Sequence, residues 1–196
     1  MPDTAFIDII DKIQNKESEI SLSVPDDWLQ GRTVFGGLVA ALVLKSMRRH
    51  VPPERKIRSL LFSFVGPLNP EPFIIETHIL RSGKSVTTIE AKVIQNAKIC
   101  SAAVGSFGGD RDSVIHIAPG KQPEMPTIPE SLELPYIDGM TPSFTRHFSY
   151  RWAVGELPFT GKGGDELGGW IKFQEETDCL TEEWLIALAD AWPTPV

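Results

Sequence analysis

Apolar and polar positions alternate, cluster and alternate again along this chain, and each arrangement predicts a different element. Glu19–Val24 alternates, with Ile20, Leu22 and Val24 on one side, and predicts a short strand. Trp28–Phe35 reads as a connector. Gly36–His50 reads as a helix stopped by Pro52-Pro53. Its first half, LVAALVL, is apolar on every side. A surface helix shows one apolar stripe, so this pattern predicts a helix covered all round. Its second half, KSMRR, is expected to emerge into water. Ile57–Val65, Phe73–Arg81 and Ser85–Gln95 are rich in β-branched and aromatic residues and predict strands. Ile99–Phe107 predicts another, built from the small residues CSAAVGS, which let a backbone approach a helix closely. Gly66-Pro67 and Asn69-Pro70 break the first pair of strands, and Ser82-Gly83 and Asn96-Ala97 predict hairpin turns. Within Ser85–Gln95, Ile89, Ala91 and Val93 share a face that ends on Gln95, while Glu90 and Lys92 point to solvent. Arg32–Phe107 is therefore expected to form one unit, a buried helix wrapped by antiparallel strands.

Periodicity then lapses. Gly108–Pro142 holds Pro119, Pro123, Pro126, Pro129, Pro135 and Pro142 and predicts an extended, proline-stiffened connection. A second pattern follows. Phe144, Arg146, Phe148, Tyr150, Trp152 and Val154 alternate with Thr145, His147, Ser149, Arg151 and Ala153, which predicts a long strand. Thr160–Gly169 reads as a glycine-rich loop and Trp170–Gln174 as a strand. Thr181–Trp192 reads as a helix, with Thr181 as N-cap, Glu182 and Glu183 at its positive end, and Pro193 as its stop. Strand then helix occurs twice, a repeat in pattern rather than in letters. The expected organisation is a first unit over 1–108, a Pro-rich linker over 109–142, and the start of a second unit over 143–196. Trp184, Leu185, Ile186, Leu188 and Trp192 on the second helix lack following strands of their own to cover them. Leaving such side chains wet forfeits ~1.5–3 kcal/mol each. The expectation is that the natural chain continues beyond Val196 or that another chain covers this helix.

Composition narrows the function classes. The 196 residues are 41% hydrophobic and 23% charged, ordinary for a globular protein. The longest apolar run, Leu38–Leu44, is far short of the ~20 residues that span a bilayer. The N-terminus MPDTAFIDIIDK is acidic and mixed, unlike a signal or transit peptide. Cys100 and Cys179 supply neither a disulfide framework nor a zinc site unaided, so a reducing, cytoplasmic setting is expected. Net charge is −7, carried mainly by residues 110–196, which hold 6 Lys+Arg against 15 Asp+Glu. Such a chain is a poor nucleic-acid binder. Arg48, Arg49, Arg55, Lys56 and Arg58 form a local basic group, either a solvated helix end or a docking patch for a phosphorylated small molecule.

Three places could carry chemistry. Gly36-Gly37 opens the buried helix, where the first N–H groups lack partners and carry positive partial charge. Glycine there lets a ligand atom come close, or merely fits a tight turn. Asp190 lies in an otherwise apolar helical run, near the helix C-terminus. Burying a carboxylate and placing negative charge at that end are both unfavourable, which suggests a task such as general base for a water. A frayed helix end with Asp190 solvated is the alternative. Gln95 could hydrogen-bond a substrate or water, or simply cap its strand. Elsewhere the signals are structural. Gly161-Lys162-Gly163-Gly164 lacks the P-loop spacing, His50, His78, His116 and His147 are scattered, no Gly-x-Ser-x-Gly elbow exists, and Cys100 sits in a packed strand.

The segments QGRTVFGGLVAALVLKSM, IRSLLFSFVGPLNP, ILRSGKSVTTIEAKVIQNAK, AAVGSFG, GGWIKF and LALADAWPTP, in this order, resemble the acyl-CoA thioesterase II-like family. The resemblance runs from about Ser21 to Pro195. It implies an α+β hotdog fold, here a double hotdog whose second repeat is incomplete within these residues. It also implies hydrolysis of acyl-CoA to free fatty acid and CoA, a thioester reaction that needs no metal or redox cofactor. The family's helix acid matches Asp190. The family's hydroxyl residue and glutamine fall on later strands of the second hotdog, beyond Val196, and Gln95 is the pseudo-equivalent position in the first. The family has glycine after its Gln-Asn turn, where this chain has Ala97. The implied mechanism has Asp190 activate water while backbone N–H groups, Gly36-Gly37 among the candidates, polarise the carbonyl. The implied partners are an acyl-CoA substrate and a second copy in a homodimer, with no nucleic acid and no membrane. The rivals are a non-catalytic hotdog acyl-binding or assembly module, and a hotdog dehydratase, which needs an active-site histidine that has no place here.

Overall fold

The structure is a computed structural model that describes residues 3–14, 16–121, 123–157 and 166–193. The Gly161–Gly164 stretch lies outside the described residues. In chain order the elements are α1 (Phe6–Ile10), β1 (Glu19–Leu22), a short antiparallel pair of β2 (Leu29–Gln30) and β3 (Thr33–Val34), α2 (Gly36–Arg48), β4 (Lys56–Phe64), β5 (Phe73–Ser82), β6 (Val86–Gln95), β7 (Lys98–Gly108), β8 (Leu132–Leu134), β9 (Phe148–Val154), β10 (Gly168–Phe173) and α3 (Glu182–Asp190).

An antiparallel five-stranded sheet, ordered β1-β5-β6-β7-β4, carries α2 on one face. The register explains why. Ala91 faces Thr77 and Ala103, and Val93 faces Ile75 and Ser101, so period-2 alternation sends one buried row toward the helix. The small residues of β7 do what their size predicts. A Cβ added to Gly105 would stand 2.8 Å from Met47 Sδ, so helix and strand meet with no room between them. Ten of the thirteen α2 residues are buried, which matches the all-round apolar pattern. The Asn96-Ala97 turn joins β6 to β7 with φ of 51° and 58°, both left-handed, as a tight hairpin requires.

One expectation about α2 is corrected. Its second half does not emerge into water, because Ser46 and Met47 are completely buried. Ser46 donates back to the Leu42 carbonyl at 2.9 Å, and Arg48 folds over the following turn onto the carbonyls of Pro52, Pro53 and Arg55. That turn and α1 cover what the sequence pattern left polar.

The second run is shorter in strand and richer in cover than its pattern predicts. Ser143–His147 is a 3₁₀ turn, and strand pairing begins only at Phe148. The Pro142 carbonyl takes both the N–H and the hydroxyl of Thr145, at 3.0 and 2.7 Å, and this local turn competes with the strand. The expected linker contributes β8, which pairs with β9 in a three-stranded sheet ordered β10-β9-β8. The second helix also finds cover. Trp184 and Ala187 are buried, because α3 packs on α2 and β10, and Phe6 of α1 sits 4.7 Å from Trp184 and 4.9 Å from Phe173. The Phe6 N–H donates to Glu175, and Trp28 Nε1 donates to the Thr4 carbonyl, which fastens the N-terminal segment over this joint. Leu185, on the opposite face, stays 54% exposed. One continuous hydrophobic core runs through both sheets and all three helices.

Candidate active site

The candidate residues Gly36, Gly37 and Asp190 come together where α2 begins and α3 ends. Phe35 precedes α2 with its ring stacked on Phe144, 4.1 Å and 2° apart, and its N–H bound to the Trp28 carbonyl at 3.0 Å. This fixes the helix entry. The Val39 N–H closes the first turn on the Phe35 carbonyl, so the N–H groups of Gly36, Gly37 and Leu38 have no acceptor within the helix. The Gly37 N–H lies near enough to the Asp190 carboxylate to favour its charged form.

The two glycines face different neighbours. A Cβ built on Gly36 would lie 2.8 Å from Asp190 Oδ2 and 2.9 Å from Phe64 Cζ. A Cβ on Gly37 would lie 2.5 Å from the Phe35 ring and 2.9 Å from the Ala187 carbonyl. Gly36 therefore meets the functional group of α3, and Gly37 meets its backbone. Absence of side chains, rather than left-handed backbone, is what both positions require.

Electrostatics favour the same junction. Asp190 is the last residue of α3, at the negative end of its own helix. The positive N-terminus of α2 opposes that disadvantage. Asp190 lies exposed at the rim of α3. Partial desolvation still holds its carboxyl above the usual carboxylate range, and the nearby Gly37 N–H pulls the other way. Other groups hold α3 in place. Glu182 accepts from the Ile57 N–H at 2.9 Å and pairs with Arg48 at 3.6 Å. The Tyr150 hydroxyl donates at 3.0 Å to the carbonyl of Ala191, the residue after Asp190. Sequence reasoning treated Tyr150 only as one position in an alternating strand. Its buried hydroxyl had no sequence signal beyond its residue type.

The other candidates have structural partners. Gln95 is buried at the end of β6, where its Oε1 accepts from the Asn69 N–H at 3.0 Å. Its Nε2 donates to the carbonyls of Asn69 and Glu71 at 3.1 and 2.9 Å. These bonds tie β6 to the turn ahead of β5, and its burial needs no ligand to explain it. The basic group is likewise engaged within the fold. Arg55 bonds Thr87 and the Gly83 and Lys84 carbonyls, Arg49 bonds the Glu17 carbonyl, and Lys56 and Arg58 pair with Asp110. Cys100 is buried. Among the described residues no three His, Cys, Asp or Glu side chains gather as a metal site would need. No helix among them is long and apolar enough to cross a membrane.

Comparison with known proteins gives the family and the fold. Residues 24–108 match the family model of the acyl-CoA thioesterase N-terminal domain, and residues 119–196 match that of the C-terminal domain. The chain belongs to the acyl-CoA thioesterase family of hotdog proteins. Its structure is similar to that of a conserved hot dog fold protein of unknown function from Alicyclobacillus acidocaldarius, with a TM-score of 0.81 and 21% identity over 97% of this chain and 70% of the other. Acyl-CoA thioesterase II TesB2 from Mycobacterium marinum superposes with a TM-score of 0.70 and 19% identity, over 95% of this chain and 68% of the other. A tesB protein from Mycobacterium avium subs paratuberculosis gives 0.69 and 16%, over 95% and 68%. At these identities the likeness establishes the hotdog fold. None of the curated proteins matches the sequence.

Proposed function

We propose that this protein hydrolyses acyl-CoA to a fatty acid and free CoA, with Asp190 as the base that activates water. The observation that carries this reading is the meeting of Asp190 with the open N-terminus of α2 over the bare Cα of Gly36. Asp190 takes a proton from water as the water oxygen bonds to the thioester carbonyl carbon. The carbonyl oxygen gains negative charge, which the positive end of α2 opposes. The C–S bond then breaks, the acid departs, and the leaving sulfur takes the proton from Asp190. A raised carboxyl pKa suits this task, because a stronger base accepts the proton more readily. The Gly37 N–H faces Asp190, so Gly37 is assigned to orienting the base. Polarisation of the carbonyl falls to other N–H groups of that first turn.

A second reading has its own support. The nearness of Asp190 to the first turn of α2 would also suit a charge that offsets the positive helix end, a role that needs no turnover. A non-catalytic acyl-binding module would look the same here. Release of free thiol across an acyl-CoA chain-length panel separates the two. Hydrolysis that Asp190→Asn lowers by about 100-fold or more is expected of a general base. Acyl-CoA binding with no thiol release would establish the binding module instead.

A further inference from the structure

Phe64 is the residue in the Asp190 site that no backbone requirement explains. It ends β4, an edge strand of the five-stranded sheet, and its side chain is 58% exposed. Three features hold it in place. The N–H groups of Val65 and Gly66 both donate to the Cys100 carbonyl, at 2.8 and 2.9 Å, and pin the backbone just beyond it. Phe62, two residues earlier on the same side of β4, braces the ring at 4.7 Å and 52°. On another side the ring edge reaches the place where Gly36 lacks a Cβ, beside Asp190 Oδ2. Behind it, Leu60 and Phe62 continue the partly buried apolar row of β4. An apolar wall thus starts at the carboxylate and leads away along the strand.

We infer that Phe64 is a specificity-determining residue that packs on the acyl chain next to the thioester carbonyl and directs the chain along β4. The inference rests on the thioesterase reading above and extends it to the part of the substrate that is selected. An acyl chain laid along the ring from the carboxylate gains apolar contact with each methylene. A two-carbon acyl group ends before it can cover the ring.

Wild type, Phe64→Ala, Phe64→Leu and Asp190→Asn are assayed for thiol release from decanoyl-CoA and acetyl-CoA. Phe64→Ala is expected to lose roughly tenfold or more in kcat/KM on decanoyl-CoA, the scale of uncovering an aromatic ring, mainly through KM. On acetyl-CoA the loss stays within about threefold, and Phe64→Leu, which keeps an apolar contact, stays within about threefold on both. Equal losses on the two substrates, or no loss from Phe64→Ala, would overturn the inference while an active wild type left the thioesterase reading intact. A wild type that releases thiol from neither, with Asp190→Asn indistinguishable from it, would overturn both. Variants that melt with the wild type separate a binding effect from misfolding.

Discussion

The two long helices differ in one instructive way. In α2, ten of thirteen residues are buried, whereas in α3 only Glu183, Trp184 and Ala187 of nine are. Both are apolar in sequence, yet one is wrapped by a sheet and the other is gripped along one side, by α1, α2 and β10. A helix covered all round can present chemistry only at its ends. α2 does so through N–H groups of its first turn that have no acceptor within the helix, behind glycines without side chains. A helix covered on one side can carry a charged group at its rim. α3 does so with Asp190. In the proposed site the first helix supplies the N-terminus and the second the titratable group, and the two meet only where these helices touch.

Substitutions can break this division in turn. The largest effect expected is on rate. Asp190→Asn keeps an acceptor for the Gly37 N–H, so hydrolysis should fall by about 100-fold or more. The fold should not suffer. Because folding raises the Asp190 pKa, this group favours the folded state below its ordinary value, and that contribution is lost as pH rises through the raised one. At neutral pH the asparagine variant should therefore melt no lower than wild type. A large drop in melting temperature would make Asp190 a cap first and a base second.

The next effect is on stability at the joint. Gly37→Val puts side-chain atoms against the Phe35 ring and the Ala187 carbonyl, and overpacking of this kind costs about 1–3 kcal/mol. Chemical denaturation should show it. An unchanged midpoint would mean that the helices can separate freely and that Gly37 is not a contact point. Tyr150→Phe is milder. It removes the hydroxyl bound to the Ala191 carbonyl, worth about 0.5–1.5 kcal/mol in a buried pair. If Tyr150 positions Asp190, kcat should drop severalfold with KM held; a melting shift with unchanged kcat would make it a packing residue only. The smallest effect lies away from the site. Ala97 sits at φ 58°, where a Cβ is strained, and Ala97→Gly should raise stability by about 0.5–1 kcal/mol. No gain would show that the turn adjusts without strain.

Much of the first unit was legible because its rules are local. Period-2 alternation located the strands of the main sheet to within a residue or two, and the all-round apolar helix required a wrapping sheet. Gly36-Gly37 and Asp190 were legible as oddities, each against a physical expectation. Their meeting was not, because nothing in the spacing of two residues so far apart states a contact. Proline density hid β8, and the Pro142 turn replaced the start of a strand whose alternation looked unbroken. The cover over Trp184 comes from Phe6, at the other end of the chain in a five-residue helix too short to leave a periodic signal. Gln95 was legible as an inward amide at a strand end, but its three backbone partners lie on a turn that only the fold brings near.

The dependence of kcat/KM on pH tests most directly whether Asp190 is the base. Thiol release from an acyl-CoA is followed from acid to neutral pH for wild type and Asp190→Asn. A carboxylate base held above its ordinary value of 3.8 predicts activity that falls as pH drops, with a midpoint above that value, and an acid limb that vanishes with the residual rate of the asparagine variant. A wild-type profile without that limb, or the same limb surviving in Asp190→Asn, would contradict it.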